Sequence, residues 1–399
     1  MKLCIVTHKI QKGDGQGRVN YEIANEAIRR GHQLTLLASE IAPELEDNSQ
    51  VKWVRIPVKD YPTEFVRNFI FAQKSADWLR KHRSDIDLVK VNGAINLAAA
   101  DVNAVHFVHS SWLRSPVHIS RNRRDFYGLY QWLFTAFNAR WEKQAFQKAQ
   151  VVVAVSEKVA QELVNIGVPR SRIRVIINGV DLEEFAPGES NRQKLGLPEN
   201  VTLALFAGDI RTPRKNLDTV LHALVKVPDL HLVVVGHTQN SPFPQLAASL
   251  GLSKRVHFVG FRRDIPQIMQ GVDLFVFPSR YEACSLVLLE ALSSGLPVIT
   301  ATATGGGELV TPECGIVLSD SDDIDALALA LLTLVSSPTL IQQMGKAARS
   351  VAEKHSWTTM AQTYVDLFEE LSNAEHRSDT NLSPSTRPIT LPFGATGAN

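Results

Sequence analysis

A chain of 399 residues is too long for one ordinary hydrophobic core and suits two domains. With 44% hydrophobic residues, 21% charged residues and a formal net charge of +1, it has a globular composition and no general electrostatic case for binding nucleic acid. Cys4, Cys284 and Cys314 have no metal-ligand spacing, which argues against a disulfide scaffold or zinc site and for a reducing compartment. The opening run MKLCIVTHKI holds too short an apolar run for a signal peptide. No stretch approaches the roughly 20 apolar residues of a spanning helix, so a cytoplasmic location is expected.

Leu3–Thr7 reads as a strand of the continuous apolar kind that parallel sheets bury on both faces. The next loop carries Gly13, Gly15 and Gly17 ahead of a helix predicted over Val19–Arg30, and Gln33–Ala38 reads as a second strand. Glycines at a helix N-terminus allow close backbone approach to a phosphate. Glu40 stands where a dinucleotide-binding fold places its ribose acid, but the spacing here is G-x-G-x-G rather than G-x-G-x-x-G. Glycines that only turn the chain are a further reading. Strands follow at Val51–Pro57 and Asp87–Val91, with a helix over Phe65–His82 between them. His106 and His109 lie near the end of another strand, where open α/β sheets place ligands. The basic run His118–Arg124 leads into an aromatic-rich segment at helical spacing, predicted as a core helix with a solvated lead-in. A membrane-surface or acceptor site is the competing reading of that segment. Val151–Val155 is a strand, Ser156 caps the next helix, and Asn178-Gly179-Val180-Asp181 marks a hinge before a linker over 186–200.

The second half repeats the alternation. Val201–Phe206 is a strand, and its loop holds Arg211, Arg214 and Lys215 before a helix over Leu217–Val225. Strands at Leu230–Val235 and Val256–Phe261 precede a buried run, Val272–Phe277. Next comes PSRYEACSLVLLEALSSG, from Pro278 to Gly295. Ser285 is a good helix cap, Gly295 a stop, and Glu282 and Glu290 stand eight positions apart around the helix start. That helix end favours a phosphate, and carboxylates beside it accept from sugar hydroxyls. The acidic triplets in Ser319–Asp325 precede an Ala/Leu helix and suit its dipole, so no metal is predicted there. Helices are expected from Ala326, over Leu340–Lys354 and over Thr358–Leu371, with residues 375–399 as a disordered tail.

The Glu282–Glu290 pattern, with the NGVD turn and the cationic loop ending at Lys215, resembles the family 4 retaining glycosyltransferases of the GT-B fold. The resemblance spans about residues 1–370 and is weakest between 40 and 150. It implies an α/β chain of two doubly wound, Rossmann-like domains facing across a cleft: an acceptor-side domain over 1–180, a nucleotide-sugar domain over 181–355, and a helix over 356–374 returning to the first. It implies transfer of a sugar from a UDP- or GDP-sugar to a hydroxyl of a glycan, lipid-linked or small-molecule acceptor, with no cofactor or metal. By this resemblance Lys215 and Arg211 hold the diphosphate, with backbone N–H groups of Ser285 and Leu286. Glu282 contacts the donor sugar, Glu290 the ribose, His109 the sugar from the opposite domain, and Gly15 and Gly17 face the diphosphate. Residues 261–263 are base-contact candidates. The sequence departs from the family pattern at Asp209, where an arginine is expected directly after the glycine, and the GG-x-x-E turn at 304–308 is one residue short, so Glu308 receives no role. Two alternatives stand beside this reading: an NAD-dependent oxidoreductase using the 13–17 loop, and a non-catalytic nucleotide-sugar-binding protein. Peripheral membrane contact accompanies the basic-aromatic reading of 118–146, and no nucleic-acid partner is expected.

Overall fold

A computed structural model describes residues 1–381 except 14, 97 and 190, with 375–381 as helical backbone only. Apolar strands alternate with helices throughout, and two large parallel sheets result, beside a short parallel pairing of Lys9–Ile10 with Glu40–Ile41. The first contains β1 (Lys2–Val6), β2 (Gln33–Ala38), β3 (Val51–Arg55), β4 (Leu88–Asn92), β5 (Val102–Val105), β6 (Val151–Ala154) and β7 (Ile173–Val175). Its order is β3-β2-β1-β4-β5-β6-β7. The second contains β8 (Thr202–Ala207), β9 (Leu230–Val235), β10 (Val256–Gly260), β11 (Leu274–Phe277), β12 (Val298–Ala301) and β13 (Gly315–Leu318), in the order β10-β9-β8-β11-β12-β13. Each sheet reverses direction of growth next to its first strand, between β1 and β4 and between β8 and β11. The crevice at the carboxyl ends of these strands is where such sheets bind ligands.

The central strands are buried on both faces because helices cover both sides. Lys90 in β4 breaks the apolar pattern. It is fully buried, donates to Asn20 and to Asn92 Oδ1 at 2.6 Å, and lies 5.8 Å over the ring of Tyr364. Burial pulls its pKa down to about 7.

The chain crosses between the domains twice, and the two crossings run side by side. Val180 N donates to His355 O at 2.9 Å and Trp357 N to Val180 O at 3.3 Å. After the second crossing, the helix Trp357–Asn381 packs Met360, Tyr364, Val365 and Phe368 into the core of the first domain. Arg30 holds this helix through Asp366 at 2.6 Å and Glu369 at 3.0 Å. The helix continues through the expected tail boundary at residue 375, and residues 382–399 of that tail lie outside the described residues.

The helix Phe126–Lys148 departs from the expected core helix. Its buried residues include Thr135, Asn138 and Glu142, while Leu129, Trp132 and Leu133 are exposed and Phe126 is 92% exposed. The first half of this helix is turned with its apolar side outward. Its inner polar side is used: Glu142 accepts from the backbone N–H groups of His109 at 2.8 Å and Ser110 at 2.7 Å.

Candidate functional site

The site is built by the loops after β8 and β11, which are stitched together. Asn216 adopts the left-handed region, with φ 68°, and is fully buried. Its amide donates to Pro278 O at 2.9 Å and Ser321 O at 2.6 Å, so it holds the loop rather than capping the helix Leu217–Val225. Arg280 N and Ser279 Oγ each donate to Arg214 O at 3.0 Å. The loops are thereby fixed with the Lys215 ammonium on the Glu282 carboxylate, and Arg214 Nη1 3.5 Å from the same carboxylate. Lys215 also lies 5.1 Å over the ring of Phe277. Burial lowers the Lys215 pKa, and the charge of Glu282 opposes that shift.

The helix Leu286–Ser293 starts as its sequence predicts: Ser285 Oγ accepts from Leu288 N at 3.3 Å. The stop is Gly295 at φ +74°, a left-handed position suited to glycine. The Ser285 N–H, however, is not a free donor. It is given to Gly305 O at 2.9 Å, a contact supplied by the loop after β12.

A cavity of about 580 Å³ opens over this helix start, bordered by Lys215, Glu282, Ser285, Leu286 and Glu290 and, from the first domain, by Gly15. Its far end is lined by Phe261 and His237, whose rings stack at 4.9 Å and 4°. Arg262 borders it as well; Arg263 does not. His237 carried no motif in the sequence beyond its place after Gly236 at the end of β9. Glu290 has its pKa pushed up to about 7, first by burial and then by the nearby charge of Glu184.

A smaller cavity of about 170 Å³ lies between the domains and shares Gly15, Glu282, Cys284 and Leu286 with the first. Gln16, His106 and Arg214 also line it. The structure places three of the expected residues away from these cavities. The histidine that lines this cavity along with Glu282 is His106; His109 lines neither cavity. β5 ends at Val105, so His106 is the residue that emerges at the cleft, whereas His109 begins the helix His109–Arg114 and its ring packs edge-on against Phe107 at 5.0 Å. His106 Nε2 is buried with no partner among the described residues, and burial lowers its pKa to about 3. The second cation at Glu282 is Arg214, while Arg211 is drawn back onto Asp209 at 2.8 Å and stays half exposed. Gly17 borders neither cavity. The helix starts at Gly15, earlier than predicted, and its first turn sends Gly17 toward a separate basin on the first domain. Gly15 is close to the opposite domain: a Cβ added there would lie 3.0 Å from Leu286 Cδ1.

Closure of the cleft rests on contacts that the sequence did not announce. The Tyr281 hydroxyl donates to Val108 O at 3.2 Å and its ring packs 5.5 Å from Phe107. Ser156 Oγ donates to Ala283 O at 2.6 Å. Glu308 accepts from Glu157 N at 2.7 Å, across the domains, and from Gly306 N at 2.8 Å. The acidic triplets are occupied structurally: Asp323 caps the helix Ile324–Val335, Asp322 pairs with Arg280 at 2.6 Å, and Asp325 pairs with Lys226.

Two Rossmann-like domains facing across a cleft, with a cation-lined helix start in the second, define the GT-B class of fold. Comparison with known families agrees. Residues 13–184 match the family described as "Glycosyltransferase Family 4" and residues 188–351 match "Glycosyl transferases group 1". The chain belongs to this family of glycosyltransferases. The oxidoreductase alternative falls with that assignment. Among curated relatives, a D-inositol 3-phosphate glycosyltransferase of Mycobacterium marinum is 33% identical over 54% of this chain and 49% of that protein. The MMP alpha-(1->4)-mannosyltransferase of Mycolicibacterium hassiacum is 24% identical over 89% of this chain and 94% of that protein. The chain thus spans about half the length of the first of these relatives. Among solved structures, the sucrose-phosphate synthase of Thermosynechococcus elongatus shares the fold with a TM-score of 0.74, at 20% identity, over 94% of this chain and 99% of that one.

Proposed function

We propose that the protein moves a sugar from a nucleoside diphosphate sugar to an acceptor hydroxyl with retention at the anomeric carbon. The observation that carries this reading is the meeting of Lys215 and Glu282 at the start of the Leu286–Ser293 helix, inside a cavity that also holds Glu290, with Arg214 reaching Glu282 from the adjoining smaller cavity. Lys215 and Arg214 would bind the diphosphate and stabilise the charge that develops as the sugar leaves. Glu282, held by both cations, would accept from donor-sugar hydroxyls and set the position of the anomeric carbon. His106, kept neutral by burial, would contact the sugar from the other domain. Glu290 would accept from the ribose, and the base would lie toward Phe261 and His237.

The resemblance to retaining glycosyltransferases implies a front-face displacement. The bond from the anomeric carbon to the diphosphate oxygen breaks, with its electron pair going to the diphosphate. The acceptor oxygen bonds to the same face of that carbon and its proton passes to the departing phosphate oxygen.

The test is nucleotide binding and its pH dependence. One of UDP, GDP or ADP raises Tm, whereas NAD does not. Ribose hydroxyls donate to an ionised carboxylate, so binding favours the charged form of Glu290. A carboxylate pKa raised from 4.5 to about 7 stabilises the free protein below pH 4.5, and that contribution is lost as pH rises through 7. The nucleotide-induced rise in Tm is therefore larger at pH 8 than at pH 6. Glu290→Gln removes the difference; a pH dependence unchanged in that variant rejects the ribose role.

A second reading, peripheral membrane contact, is favoured by the outward apolar side of Phe126–Lys148. Phe126, Leu129, Trp132 and Leu133 are exposed beside exposed Arg121, Arg123 and Arg124. Aromatic rings flanked by guanidinium groups complement an anionic lipid surface. Vesicles containing phosphatidylglycerol should sediment the wild-type protein and not the variant with all three arginines changed to Glu. Equal sedimentation of both proteins, with equal turnover, rejects this contact.

A further inference from the structure

We propose that a basic basin on the first domain, separate from the donor cavity, seats the phosphate of a phosphorylated acceptor. The inference rests on the glycosyl-transfer reading above and adds to it the chemical class of the acceptor. The basin has a volume of about 610 Å³. It lies beyond the carboxyl ends of β1, β2 and β3, which deliver Thr7–Lys9, Ser39–Glu40 and Pro57–Lys59 to its rim. Glu64, Arg67 and Asn68 close one side, and Gln16 and Gly17, from the first turn of the helix Gly15–Arg29, close another.

Its charge is unbalanced toward cations. Lys9, Arg55, Lys59 and Arg67 line it against the carboxylates Glu40 and Glu64. Lys9 is occupied by Glu40 at 3.3 Å, and Arg67 donates its Nε to Tyr61 O at 2.7 Å. The Arg55 guanidinium lies 5.5 Å over the Trp53 ring, and neither Arg55 nor Lys59 has a carboxylate partner among the described residues. Two further polar atoms in the wall, His8 Nε2 and Ser39 Oγ, are buried with no partner among the described residues. An arginine fork, an ammonium group and small polar donors beside the first turn of a helix are the groups that recognise a phosphomonoester.

The position of the basin connects it to the chemistry. Gln16 lines both the basin and the small cavity that contains Glu282 and His106. A molecule anchored by its phosphate among Arg55, Lys59 and Arg67 would extend past Gln16 and present a hydroxyl where the donor sugar is held. A neutral sugar would leave those cations without a counter-charge and would gain nothing from them.

The same phosphate chemistry occurs on soluble sugar phosphates and on phosphorylated lipid headgroups, and the experiment separates them. Binding of glucose 6-phosphate and of glucose is measured by calorimetry with the full chain in the presence of the nucleotide that stabilises it. In parallel, phosphatidylcholine vesicles with and without phosphatidylinositol phosphate are tested by sedimentation. Glucose 6-phosphate is expected to bind at least tenfold more tightly than glucose if the source is soluble; vesicle binding that requires the phosphoinositide assigns the headgroup. Arg55→Glu with Lys59→Glu should weaken the phosphate ligand at least tenfold and leave the nucleotide-induced rise in Tm unchanged, since both side chains are exposed and line a different cavity from Lys215. Equal binding of the phosphate ligand by wild type and double variant overturns the proposal. So does nucleotide binding without binding of either phosphate ligand, an outcome in which the donor reading still stands. Absence of nucleotide binding as well removes both readings.

Discussion

Lys215→Ala lowers kcat/KM for sugar transfer by about 10²–10³-fold, the range found when one preorganised charge stabiliser is removed from a buried site. The argument begins with burial. Lys215 is nearly enclosed, placed over the Phe277 ring and held on Glu282. Its desolvation is offset by that carboxylate, so the cation is in position before a diphosphate arrives and needs no reorganisation as charge builds on the leaving group. Alanine removes the charge and also frees Glu282, which among the described residues keeps Arg214 at 3.5 Å. That remaining contact sets the residual activity. The loss should fall mainly on kcat, because the interaction strengthens as the sugar–phosphate bond breaks. A variant that turns over normally at saturating donor, with only KM raised, would show that Lys215 binds the ground state and has no special part in transfer.

The fold was readable because both domains bury their strands completely. Runs such as Leu274–Phe277 and Val151–Ala154 admit no polar face, and the helices between them supply the alternation that parallel sheets require. The start and stop of Leu286–Ser293 were readable for a similarly local reason: a serine cap and a glycine able to take positive φ. The placement of site residues was not legible where the deciding contact was a competition between neighbours. Arg211 and Arg214 stand in one loop, and spacing alone does not say which is captured by Asp209; Asp209 itself was the available signal. His106 and His109 differ by three positions, and the choice depended on where β5 ended and the next helix began. The engagement of Ser285 N–H by Gly305 O, and the docking of Tyr281 into the first domain, join segments that no local pattern connects. Phe126–Lys148 failed for another reason. Its aromatic spacing is helical on either side, and only the burial of Glu142 under the N-terminus of His109–Arg114 fixes which side faces inward.

Gly179→Ala lowers stability by about 3 kcal/mol and Tm by about 5–10 °C, the upper range for overpacking a close contact that side-chain rotation cannot relieve. The motif NGVD marked this turn as a hinge, and its glycine looked like a turn residue. The structure gives a different reason for it. A Cβ at Gly179 would lie 2.4 Å from both the N and the Cα of Trp357, where the second crossing enters the returning helix. The obstacle is backbone, and it is held by the Val180–His355 and Trp357–Val180 hydrogen bonds on either side. Gly251 provides the comparison. It has φ +74° with nothing within 4 Å of an added Cβ, so Gly251→Ala should cost only the left-handed strain of about 1 kcal/mol. If the two variants melt together, packing at the crossing contributes nothing beyond backbone conformation. If Gly179→Ala melts lower, the returning helix should loosen from the first domain while the second keeps its own core and its nucleotide cavity. Transfer would then fall more than nucleotide binding, because Gly15, Gln16 and His106 reach Glu282 only when the crossing holds the domains together.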